Sequence, residues 1–146
     1  MKISIHQPNF MPWPGYFYKI SQSDVFVILD DVKCSKNSFF NRSRFSSGKD
    51  SFWLTVPLLK KSYSSEIYNA ETPSKKWIDK HIKYFKNSHS STTESKFYHS
   101  LIDSYEKFRE SNNMSVSSFN ISLIENILNF LEIEVEIVKS SDTGLT

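Results

Sequence analysis

The chain has 146 residues, 38% of them hydrophobic and 15% aromatic, enough for one domain whose core volume comes from Phe and Tyr as well as Ile, Leu and Val. Its 18 Lys and Arg stand against 16 Asp and Glu, a formal charge of +2, which lacks the basic excess of a dedicated nucleic-acid binder. A single cysteine, Cys34, excludes an internal disulfide; with no recognisable signal peptide and no stretch near the roughly 20 apolar residues of a bilayer span, a cytoplasmic protein is expected.

Ile3 and Ile5 alternate with polar residues and predict a short strand that stops at His6-Gln7. Pro8, Pro12 and Pro14 each fix φ and bias the preceding residue toward extended backbone, so the His6–Gly15 loop is stiff. Tyr16–Ser23 has helical spacing. Asp24–Asp31 then carries five consecutive apolar residues bounded by carboxylates, the pattern of a strand buried on both faces of a parallel sheet. Strand, helix and strand make a βαβ unit close to minimum length.

Val32–Lys49 mixes basic, amide and aromatic residues without periodicity and reads as a long loop. Phe52–Leu58 predicts a third strand, with Pro57 at its end or on an edge. Lys60–Thr72 is expected to be a Ser-rich surface connection. Thr72-Pro73 signals the start of a helix carrying Trp77, Ile78, Ile82 and Phe85. After a hydroxyl-rich break at Ser90–Glu94, a further helix follows from Phe97, Leu101, Ile102, Tyr105 and Phe108. Another runs from about Ser117 through Leu131. Glu132–Val138 alternates charge and branched apolar residues, a half-exposed strand, and Lys139–Thr146 reads as a loop with no capping element. The expectation is a single α/β domain over residues 1–146, with a mostly parallel sheet and flanking helices, truncated at its C-terminus.

In a parallel sheet the loops at His6–Gly15, Asp30–Gly48 and Ser140 onward open on one edge, where α/β sheets bind ligands. His6 is a candidate general acid or base, since imidazole titrates near neutrality; the plainer reading is a histidine bonded to its strand-end neighbours. Asp30 can accept a proton or anchor a hydroxyl, and Asp31 stands beside it; solvated strand-end carboxylates are the alternative. Lys36 and Arg42 offer donors to a phosphate or carboxylate, and Arg44 reads more simply as solvated. Gln7, Asn9 and Asn41 can orient a polar ligand, while Trp13, Tyr16, Phe39, Phe40 and Trp53 supply ring surfaces or core. Cys34 has no activating partner, and His81, His89 and His99 lack ligand spacing. No zinc pattern, Walker loop, dinucleotide fingerprint or nucleophile elbow is present, so no metal or cofactor is assigned.

Four blocks in order, His6–Ile20, Asp24–Val32, Asn41-Arg42 and Trp53–Pro57, resemble the WbqC-like protein family, with weaker agreement at Lys75–His81, Asn120–Leu131 and Ser140–Asp142. Lys33 stands where the family has Gln, and Pro14 where it has a leucine-like residue. The resemblance implies a longer chain and a place in bacterial O-antigen and other surface-polysaccharide gene clusters, with glycine transfer to an amino sugar as the suggested activity. A looser, fold-level analogy connects the opening to Rossmann-like nucleotidyltransferases, although the paired-histidine motif of those enzymes is lacking because position 9 is Asn.

The resulting expectation is a transferase with His6 or Asp30 taking the acceptor's proton, and with Gln7, Asn9, Trp13, Tyr16, Asp31, Lys36, Asn41 and Arg42 binding a small, nucleotide-linked sugar. The alternatives are an ATP-dependent ligase or nucleotidyltransferase using the same pocket, and a non-catalytic ligand-binding or assembly protein.

Overall fold

The computed structural model describes residues 1–88 and 95–144. The Ser90–Glu94 break, His89 and the last two residues of the expected C-terminal loop lie outside the described residues. Three strands, β1 (Ile3–His6), β2 (Val25–Ile28) and β5 (Glu136–Lys139), form a parallel sheet in the order β1-β2-β5, with His6 opposite Ile28 and Ile28 opposite Lys139. The first two are joined through α1 (Pro14–Ser21), as the βαβ reading expects. All three strands end on one edge, which brings His6, Asp30 and Ser140 to the same side of the domain.

Among the described residues the sheet is covered on one face only. Phe26 and Ile28 of β2 point into a core with Tyr16, Phe17 and Ile20 of α1 and with Ile121, Ile124 and Leu128 of α4 (Val116–Phe130). On the other face Ile3 and Ile5 are 53% and 54% exposed, and Val25 and Val27 are half-buried. The apolar run of β2 is therefore buried on one face, not two. Both crossovers run in the same direction across the sheet, and right-handed connections made that way put their helices on the same side.

Arg42–Ser47 forms a strand, β3, where the sequence reads as loop, and pairs antiparallel with β4 (Asp50–Thr55). This two-stranded sheet is separate from the parallel one, so the third strand expected at Phe52–Leu58 is half of a hairpin. Gly48, at φ +61°, supplies the left-handed residue at its tip. The chain leaves the ladder before Pro57, which cannot donate to it.

The hairpin packs on a second, larger core formed with α2 (Trp77–Ser88), α3 (Lys96–Glu110) and the opposite flank of α4, where Phe119 meets Trp77, Tyr105 and Phe108. Ser95 and Ser115 cap α3 and α4, accepting from the Tyr98 and Ser118 amides. Lys60–Thr72 is not a surface connection. It folds into two 3-10 turns, Lys60–Ser64 and Ile67–Asn69, and buries Ser62, Ile67, Ala70 and Thr72. The helix signalled by Thr72-Pro73 begins only at Trp77, whose indole N–H donates to Thr72 Oγ1 at 3.0 Å. Ser140–Thr143 is a single helical turn, α5.

Candidate functional site

The Pro8–Pro12 segment is fixed from three sides. Asn120, fully buried in the apolar middle of α4, donates through Nδ2 to Pro8 O at 2.8 Å and to Phe40 O at 2.7 Å. The Phe10 amide donates to Phe39 O at 2.9 Å, and Ser43 Oγ donates to Met11 O at 3.0 Å. Met11 takes φ +44°, a left-handed conformation unfavourable for a side chain with a Cβ and maintained by these clamps. The opening loop and the Phe39–Ser43 segment are thereby locked into one surface.

On that surface His6 stands between Tyr16 and Trp13, its ring centroid 4.9 Å and 5.7 Å from theirs. Its Nδ1 lies 3.2 Å from Gln7 O, which also accepts from the Tyr16 hydroxyl at 3.0 Å. A hydrogen on Nδ1 leaves the Nε2 lone pair free. Burial lowers the His6 pKa below its ordinary 6.5; the Gln7 carbonyl opposes the shift, and the charge of Lys19 adds a little to it. Lys19 donates to Ile5 O at 3.0 Å. His6 is therefore a neutral imidazole at neutral pH, with one nitrogen able to accept a proton.

Asp30 is 2% exposed and is engaged by the end of β5: its carboxylate accepts from Ser141 N at 3.0 Å, Ser141 Oγ at 2.9 Å and Ser140 Oγ at 3.2 Å. The Ser140 hydroxyl also lies 2.6 Å from Asp31 Oδ1. The two carboxylates and two serines thus tie the end of β2 to the end of β5.

A line of rings runs outward from His6. Trp13, Phe39 and Trp53 are 50%, 52% and 41% exposed, with centroids 6.2 Å and then 5.9 Å apart. The Arg42 guanidinium lies 4.3 Å over the Trp53 ring and donates from Nη2 to Asn37 O, while its Nε is buried with no partner among the described residues. Asn9, 4% exposed, lines a cleft of about 130 Å³ beside Trp13 and Phe39.

His6 touches Gln7, Trp13 and Tyr16, and Arg42 joins them through Trp53 and Phe39. Asn41 is buried and donates to Val56 O at 3.0 Å, holding the end of the hairpin. Lys36 is exposed and sits 6.0 Å over the Tyr63 ring, apart from the His6 cluster. Sequence reasoning missed Asn120; its signal was an amide between Phe119 and Ile121 on a helix otherwise reading as apolar. The sequence marks Gly15 only as a loop residue. A Cβ there would sit 2.8 Å from Trp13 Nε1, so the indole lies where only glycine permits.

Larger clefts lie elsewhere. A groove of about 500 Å³ between α3 and α4 has on its wall the Ser100, Ser104 and Asn126 hydrogen-bond network. A more apolar one of about 600 Å³ is lined by Phe45, Tyr84, Phe97 and Phe130. Neither contains the polar groups at the parallel strand ends. Among the described residues no group of three or more His, Cys, Asp or Glu could hold a metal ion, and no helix is long and apolar enough to cross a membrane.

Fold and site together define a mixed α/β domain with polar and aromatic side chains gathered at the C-terminal edge of a three-stranded parallel sheet. The profile of the WbqC-like protein family matches residues 7–146, and the chain belongs to that family. It is 27% identical, over 146 residues and 99% of its length, to the Mycobacterium tuberculosis protein named uncharacterized protein Rv1507c. It spans 62% of the length of that relative. No solved structure matches it.

Proposed function

We propose that this chain carries the active-site edge of a cytoplasmic transferase in bacterial surface-polysaccharide (O-antigen) biosynthesis, moving a glycyl group onto the amine of a nucleotide-linked amino sugar. The observation that carries the reading is His6: a neutral imidazole with Nδ1 engaged by Gln7 O and Nε2 without a partner among the described residues, at a strand end walled by Trp13 and Tyr16. The acceptor nitrogen attacks the carbonyl of an activated glycyl ester, thioester or mixed anhydride. The new C–N bond replaces the bond to the donor's leaving group, and the proton shed by nitrogen passes to His6 Nε2.

The other residues follow from their positions. Arg42, stacked on Trp53, holds a phosphate of the sugar carrier, and Lys36, beside Tyr63 and apart from the His6 cluster, adds only longer-range positive charge. Gln7 and Asn9 orient the sugar, and Asn41 supports them by holding the hairpin. Asp30 and Asp31, already engaged by Ser140 and Ser141, shape the edge and leave the proton transfer to His6. The strand order β5-β2-β1, with α1 and α4 on one face, fits one half of a doubly wound, Rossmann-like sheet; in such a sheet β1 borders the switch point, and ligands gather at its C-terminal end.

Thermal-shift measurements test this reading. A nucleotide-linked amino sugar should raise the melting temperature by mass action, and the rise should shrink in Arg42→Gln. Stabilisation by ATP, with pyrophosphate release, would favour a ligase in its place. No response to either class, together with silent His6→Ala and Asp30→Ala variants in a cellular polysaccharide assay, would overturn both catalytic readings.

A further inference from the structure

We infer that the Trp13–Phe39–Trp53 ridge and the cleft beside it bind a hexopyranose carrying an N-acylamino group, with the sugar face on the rings and the acylamino group in the cleft against Asn9. The inference rests on the transferase reading above and names the class of sugar that it would accept: one whose free acceptor amine and N-acylamino group stand on different ring carbons.

Three large rings about half-exposed and in contact with one another form a continuous apolar patch, and such patches mark binding surfaces. The ridge is also built. Gly15 leaves room for the Trp13 indole, where a Cβ would meet its Nε1 at 2.8 Å, and Phe39 is held through its carbonyl by the Phe10 amide. Successive rings are tilted by 58° and 49°, so the ridge turns along its length. The puckered face of a pyranose, lined with C–H groups, follows such a turned surface across successive rings.

The cleft reads the substituent. Its volume of about 130 Å³ is bounded by Asn9, Met11, Pro12, Phe39, Ser43 and Arg44. That is room for a few waters or for a small substituent such as an acylamino group. The Asn9 residue is 4% exposed, and its carboxamide has no hydrogen-bond partner among the described residues, although its own amide nitrogen donates to Gln7 O at 2.9 Å. The carboxamide is not among the sealed, unpartnered polar groups and so stays open to the cleft, where its N–H and C=O are complementary to the C=O and N–H of a secondary amide. A hydroxyl would satisfy half of that set at a time.

The indole N–H signals of the protein in a nitrogen–proton correlation spectrum give the test, because the three tryptophans divide cleanly. Trp13 and Trp53 lie on the ridge, and Trp77 is bonded to Thr72 in the core as an internal control. N-acetylglucosamine should shift the Trp13 and Trp53 signals saturably and leave Trp77 in place, with glucose weaker by about tenfold. Asn9→Leu, which breaks no side-chain hydrogen bond, should remove the difference between the two sugars, and Gly15→Ala should weaken both by displacing the indole. Equal affinity for the two sugars in the wild type, a stronger response to uridine monophosphate than to either, or no movement of Trp13 and Trp53 would overturn the inference. The two readings fail separately: glycyl transfer at wild-type KM in Trp13→Ala and Asn9→Leu sinks this one alone, whereas sugar binding on the ridge without any transfer sinks the transferase alone.

Discussion

Asn120 and Pro8, 112 positions apart, are joined by a buried 2.8 Å hydrogen bond from the Asn120 carboxamide to the Pro8 carbonyl. Because the same Nδ2 also donates to Phe40 O, one side chain of α4 fixes the two segments that carry Trp13 and Phe39. Asn120→Leu keeps the volume and removes both donors, leaving two carbonyls unpaired in the interior. A loss of about 2–4 kcal/mol in urea unfolding is expected, together with a change in the emission of the ridge tryptophans. A variant as stable as the wild type would mean that the loop is held by other contacts.

His81 gives the fold a pH dependence of known sign. Its Nε2 lies 3.2 Å from Thr55 O and its Nδ1 3.1 Å from the Tyr105 hydroxyl, and burial lowers its pKa from 6.5 to about 4. Between these two values the unfolded chain binds more protons than the folded one. Stability is therefore fully present above pH 6.5 and declines as pH falls toward about 4, by about 3 kcal/mol in all. Urea unfolding across that range should show the decline, and His81→Phe should flatten it whatever its effect on overall stability.

The tie between Asp30 and the Ser140-Ser141 turn holds an edge strand. Asp30→Ala removes the acceptor of three hydrogen bonds and should cost about 1–3 kcal/mol. Hydrogen exchange should speed at the β5 amides more than in α4. Uniform loss of protection would contradict a local role.

The one-sided sheet makes a contrast between neighbouring positions. Ile3→Thr and Ile5→Thr, on the open face, should change stability by no more than about 0.5 kcal/mol. Phe26→Ala, on the covered face, should cost about 3–5 kcal/mol. Equal costs at Ile5 and Phe26 would show that the Ile face is covered in solution.

Much of the framework was legible because its signals are local. Alternation gave β1, the apolar run gave β2, and three- and four-residue spacing gave α3 and α4. Which face of β1 is covered was not legible: alternation distinguishes Ile3 and Ile5 from Ser4, but the side on which α1 and α4 pack is set by the handedness of the crossovers. Ser4 thus faces the covered side, with a hydroxyl that has no partner among the described residues. Arg42–Ser47 was read as loop because its strand is defined across the hairpin, where Phe45 meets Phe52 and Arg44 meets Trp53, and its own sequence lacks apolar alternation. The polar look of Lys60–Thr72 likewise concealed Ser62 and Thr72, which are buried as hydrogen-bonding partners of nearby backbone. At the site, His6, Gln7, Trp13 and Tyr16 were close in sequence and came together; the contributions of Asn120 and Ser43 depended on long-range contacts that no spacing encodes.

The most direct test of the central claim is the pH dependence of single-turnover glycyl transfer to a nucleotide-linked amino sugar, followed by product mass for the wild type and His6→Gln. The acceptor amine titrates in both proteins, so the ratio of the wild-type rate to the His6→Gln rate isolates the imidazole. Because burial lowers the His6 pKa, that ratio should be about 10² and level at neutral pH, and fall only below 6.5. Transfer by His6→Gln at the wild-type rate, or a ratio that stays level into the acid range, would contradict a proton-accepting His6 at this sheet edge.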